Sequence, residues 1–87
     1  MSERIVTVAS SIGLHARPAS LFAQAAAKMG VPVTLTSPDG KSVNAASILG
    51  VLSLGIGHGA IVTISADGAE EALDALAALL ATDLDAQ

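Results

Sequence analysis

Along the first third of the chain the apolar positions change their repeat once, and that change separates a strand from a helix. From Arg4 to Ala9, Val6 and Val8 alternate with Ile5 and Thr7, the two-residue repeat of a strand with at least one apolar face. From Arg17 to Met29 the repeat lengthens, and Phe22, Ala25, Ala26 and Met29 fall along one side of a helix. Gly30 stands where helices commonly end on a left-handed residue, and Pro32 cannot continue one. Val31, Val33 and Leu35 then alternate with Thr34 and Thr36. Ser37-Pro38-Asp39-Gly40 supplies turn chemistry before a short strand from Lys41 to Asn44, which predicts a hairpin.

Ile48, Leu49, Val51, Leu52 and Leu54 are too dense for a single face of either element. A short helix between Ala46 and Ser53 is the better choice, because Asn44 or Ser47 can cap it and Gly55-Ile56-Gly57-His58-Gly59 ends it. From Ala60 to Ala66, Val62, Ile64 and Ala66 alternate with Thr63 and Ser65, another strand. Asp67-Gly68 turns the chain, and Glu70 and Glu71 suit the positive N-terminal end of a last helix. Leu73, Leu76, Ala77, Leu80 and Leu84 are its expected buried stripe, and the terminal residues 83–87 are expected to fray.

The predicted order is β-α-β-β-α-β-α, with strands of about six residues. It implies an α+β fold: a four-stranded, mostly antiparallel sheet with three helices on one face, and Thr7, Thr34, Thr36, Thr63 and Ser65 on the solvated face. Without a linker or repeat, residues 1–87 are expected to form one small domain.

Composition removes several functions. A chain that is 52% hydrophobic with Phe22 as its one aromatic has an aliphatic core and no platforms for stacking bases. Its four cations, Arg4, Arg17, Lys28 and Lys41, leave a formal charge of −4, so nucleic acid is not expected as a partner. No cysteine means no thiol nucleophile or thiolate ligand, and two histidines without clustered carboxylates suggest neither a metal nor a cofactor. Neither a leader pattern nor a bilayer-length apolar run is visible, so a cytoplasmic chain without membrane insertion is expected. Nothing in the last helix signals self-association, which leaves a monomer as the expectation.

The candidate chemistry lies in Gly13-Leu14-His15-Ala16-Arg17-Pro18-Ala19, where a histidine stands at a chain corner just before a helix. The first N–H groups of a helix lack internal partners and carry the positive end of its dipole, so the amides of Ala16 and Arg17 form a backbone anion site. Pro18 suits a first turn because its missing N–H would have had no partner there. Arg17 adds a planar donor fork matched to phosphate oxygens. His15 is therefore a candidate phosphoryl acceptor, and its plainer alternative is a corner histidine bonded to backbone. Ser10, Ser11 and Ser20 are the local hydroxyls, and spacing marks none as an activated nucleophile. His58, within its glycine-rich loop, reads most simply as an exposed turn residue.

This heptapeptide, together with Ser47-Ile48-Leu49-Gly50-Val51-Leu52-Ser53-Leu54-Gly55 and Val62-Thr63-Ile64-Ser65-Ala66, resembles the HPr family, the histidine-containing phosphocarriers of the phosphoenolpyruvate:sugar phosphotransferase system. The resemblance covers essentially the whole chain. It implies an open-faced β-sandwich and a carrier rather than an enzyme: His15 takes a phosphoryl group from enzyme I and hands it to enzyme IIA of sugar permeases, with Arg17 stabilising the phosphoryl oxygens. It also implies that Leu21, Ile48, Leu49 and Leu52 dock these partners, while Val51 and Leu54 are read as core. Ser47 matches the position that an HPr kinase/phosphorylase modifies in many relatives, although Ala46 stands where a lysine often precedes that serine, and an N-cap hydroxyl needs no kinase. A nitrogen-branch regulatory paralogue and a non-catalytic anion- or partner-binding α+β domain are the alternatives.

Overall fold

The computed structural model describes residues 2–10 and 13–82. In chain order the elements are β1 (Ser2–Thr7), α1 (Ala16–Lys28), β2 (Thr34–Thr36), β3 (Ser42–Asn44), α2 (Ile48–Ser53), β4 (Ile61–Ala66) and α3 (Glu70–Leu80). The strands form one sheet in the order β1-β4-β2-β3, and all three pairings are antiparallel. Register assigns the two faces. Leu35 stands opposite both Ile64 and Val43 and looks toward the helices, whereas Thr63 stands opposite both Ile5 and Thr36 on the outer face.

The helices cover the inner face, with α3 against β1 and β4, α2 against β3, and α1 against both other helices. Phe22, Leu14, Leu35, Val51, Val62, Ile64, Leu73, Leu76 and Leu80 fill the space between the layers. Their burial is the main driving force, at about 1.5–3 kcal/mol for each large aliphatic or aromatic side chain removed from water. At the β1 edge, Arg4 donates from Nε to Asp74 at 2.6 Å and lies 3.7 Å from Glu70, which fastens the start of α3 to the sheet. The hydrogen bond to Asp74 holds the Arg4 guanidinium charged even more firmly than usual. Among the described residues no helix is long and apolar enough to cross a membrane.

The order of elements and the helical choice for Ile48–Ser53 agree with the sequence pattern, and the bounds and strand lengths need correction. β1 ends at Thr7 instead of Ala9, because Val8 and Ala9 bond to Ala60, Gly59 and Leu80 rather than along the β4 ladder. The expected strand from Val31 starts only at Thr34, and β2 and β3 have three residues each instead of about six. Helix α1 begins one residue earlier, at Ala16. Ser65 does lie on the outer face, but it stands between Glu3 and Thr34 and is nearly closed off from solvent. Leu84 and the fraying expected of residues 83–87 fall outside the described residues.

Candidate functional site

The corner that carries His15 is built from main-chain bonds to a distant loop. Past β1, Val8 N–H donates to Ala60 O at 2.9 Å, and Gly59 N–H returns a bond to Val8 O at 2.9 Å. Gly13 N–H then donates to Ser10 O, and Leu14 N–H to Ile56 O, both at 2.9 Å. The Leu14 side chain is fully buried, so the corner is also anchored by the core.

His15 follows as the N-cap of α1, with an extended backbone (φ −128°, ψ 162°). Its ring is half-buried and makes no side-chain capping hydrogen bond to the helix. The first bond of the helical ladder is Ala19 N–H to His15 O, at 3.5 Å, and Pro18 has no N–H to offer. The amides of Ala16 and Arg17 precede that ladder, so helix geometry leaves them without intrahelical acceptors. Arg17 is exposed. Among the described residues no acidic side chain pairs with it, whereas Arg4 is held by Asp74 and Glu70, and Lys41 lies 4.0 Å from Asp39. A half-buried histidine at the cap, two helix-start amides and an exposed arginine thus follow one another along the chain at the N-terminal end of α1.

The second part of the site is α2. Its N-cap, Ser47, accepts a hydrogen bond from Gly50 N–H at 3.1 Å, and Asn44 Oδ1 accepts one from Ala46 N–H at 2.9 Å just before it. Both residues considered as caps therefore help to form this start. Val51 is fully buried and Leu54 packs partly against the core, while Ile48, Leu49 and Leu52 lie exposed on the other side, Leu49 at 80%. Leu21 is half-buried on α1, four residues past Arg17 and so on the same stripe. α1 and α2 pack together, and the loop that follows α2 meets the histidine corner where Ile56 O accepts from Leu14 N–H.

His58 is exposed. Ser10 is buried, Ser20 accepts from Gln24 Nε2 at 2.9 Å, and Ser11 lies outside the described residues. Among the described residues no group of three or more His, Cys, Asp or Glu side chains is placed to hold a metal ion. What the sequence reading missed is the close approach of Gly13 to residues 56 and 57. The only local signal was a glycine two positions before the histidine.

Residues 2–82 match the family described as PTS HPr component phosphorylation site. The chain is 52% identical to phosphocarrier protein HPr of Streptomyces coelicolor, with 98% of this chain and 94% of that protein covered. The crystal structure of a phosphocarrier protein HPr from Bacillus anthracis superposes with a TM-score of 0.86 at 47% identity, covering 91% of this chain and 95% of that one. Crh of Bacillus subtilis, solved as a domain-swapped, intertwined dimer, gives a TM-score of 0.73 at 43% identity, covering 97% and 98%.

Proposed function

The chain belongs to the HPr family of phosphocarriers of the phosphotransferase system, and from that premise we propose that His15 is its phosphoryl acceptor, charged by enzyme I and discharged to enzyme IIA of sugar permeases. The observation that carries this reading is the cap of α1, a half-buried imidazole that makes no capping bond, beside an exposed arginine. In the proposed step a lone pair on His15 Nδ1 attacks the phosphorus of a phosphohistidine on enzyme I. The P–N bond of the donor breaks, and its electron pair returns to the donor imidazole. Discharge runs the same exchange with His15 as the leaving group.

The transferring unit resembles metaphosphate, with charge spread over three oxygens, so positioning and charge stabilisation supply most of the catalysis. The amides of Ala16 and Arg17 and the Arg17 guanidinium fit that task. Leu21, Ile48, Leu49 and Leu52 form the proposed docking surface, where burial of exposed apolar area drives association. Ser47 is the proposed target of an HPr kinase/phosphorylase, because phosphate there adds about −1.5 to −2 charge beside an apolar patch and opposes docking. The carrier is proposed to act as a monomer, since β1 pairs with β4 of its own chain.

Incubation with phosphoenolpyruvate and enzyme I tests the reading. An acid-labile, base-stable mass gain that His15→Ala loses is the expected result, and no gain in the wild-type chain overturns it. Enzyme I of the nitrogen branch, run in parallel, separates the two branches.

A further inference from the structure

Resting on the carrier reading, we propose that Gly13 is a positioning residue for phosphoryl transfer, because it admits the backbone of residues 56 and 57 so closely that His15 hangs from the loop that ends α2. The His15 side chain does not fix its own place, since it makes no capping bond. Its backbone is set by the two residues before it: Gly13 at φ +74° and Leu14, whose N–H reaches Ile56 O.

A Cβ at position 13 would lie 2.3 Å from Ile56 O, 2.6 Å from Gly57 Cα and 2.8 Å from Gly57 C. All three are main-chain atoms, which cannot swing aside as a flexible side chain can. Relieving the clash therefore means moving the same carbonyl that Leu14 uses. Ile56 follows α2 by only a few residues, so this carbonyl also sets how far the exposed face of α2 stands from the acceptor. One close approach thereby ties the docking patch to the reacting ring.

The other glycines at positive φ provide the control. Gly30 has φ +75°, almost the value at Gly13, yet a Cβ there meets nothing within 4 Å, and it lies past the opposite end of α1. Gly30→Ala imposes the same left-handed strain without displacing His15.

The test is steady-state transfer from phosphorylated enzyme I to the wild-type chain, Gly13→Ala and Gly30→Ala, with folding followed by circular dichroism. A misplacement of about an ångström can cost about a hundredfold in rate, so kcat of Gly13→Ala should fall at least tenfold. KM should stay within about twofold, because the docking patch is untouched. Gly30→Ala should keep both constants near wild type. A folded Gly13→Ala with wild-type kcat, a change confined to KM, or an equal loss in Gly30→Ala overturns the proposal. Hydrogen exchange on the wild-type chain keeps it open to refutation should Gly13→Ala fail to fold: the Leu14 amide is expected to be protected, and a freely exchanging one overturns it. A wild-type chain that accepts no phosphoryl group overturns the carrier reading, and this inference with it.

Discussion

Two helices of this molecule start in opposite ways. At α2 the chain supplies its own cap: Ser47 accepts from Gly50 N–H, one of the helix-start donors. At α1 the cap residue is a histidine with no capping bond, and proline further reduces the helix-start donors to the amides of Ala16 and Arg17. Both starts leave the N–H groups of their first two residues without intrahelical acceptors, so what differs is the cap: a hydroxyl engaged with its own helix at α2, and at α1 an imidazole that makes no such bond. The contrast bears on the proposed acceptor: at α1 the cap side chain is not engaged by its own helix and a cation, Arg17, follows it in the first turn, whereas α2 has an engaged hydroxyl and no cation in its first turn. A phosphate on Ser47 would have to displace or outbid the bond to Gly50, whereas one on His15 displaces nothing that the helix uses.

The largest effect expected from breaking this contrast is at His15. His15→Ala should abolish phosphoryl uptake, read by intact-protein mass, while thermal unfolding stays close to wild type because no capping bond is lost. A large drop in melting temperature would contradict the uncapped start. Arg17→Lys keeps the charge and loses the fork, so transfer measured by rapid quench should slow by about tenfold, the effect of one charge-assisted hydrogen bond. An unchanged rate would remove Arg17 from the proposed stabilisation.

Ser47→Ala sharpens the comparison from the other side. Loss of this cap should cost about 1 kcal/mol, a fall of roughly 4–8 °C in melting temperature for a domain of this size, with His15 uptake intact. Equal stability of variant and wild type would mean that the Gly50 bond contributes nothing. The smallest effect is expected at Leu49→Ser, which should raise KM for enzyme I severalfold while leaving stability within about 0.5 kcal/mol, since an exposed side chain contributes little to the core. A KM equal to wild type would exclude Leu49 from the docking surface.

The features readable from sequence are those set by neighbours along the chain. The repeat around Phe22 and Ala26, Gly30 as a helix terminator, and Ser47 as a cap are local chemistry, and each reappears in the structure. The boundaries of β1 and β2 were less readable, because a strand ends where its partner ends, and the partner of β1 lies near the other end of the chain. Ser65 shows the same limit. Its alternation gave the correct face, and only the register reveals that Glu3 and Thr34 flank and shield it.

The site divides along the same line. The histidine, the arginine and the proline are adjacent in sequence, so their association with a helix start could be inferred from residue chemistry alone. The contact of Gly13 with Ile56 and Gly57 could not, because it depends on how a distant loop returns to the corner. Exposure on α2 was partly readable, since six residues with so many large aliphatics cannot all face inward.

Ile5, 75% exposed, and its diagonal neighbour Ile61 lie on the outer surface of the sheet, away from the helical layer that carries His15 at the start of α1. That surface is free for laboratory use. The chain contains no cysteine, so a single thiol introduced at Ile5 could carry a dye or tether the protein to a bead, and successive loading and unloading could be followed on immobilised molecules with the working side still facing solution.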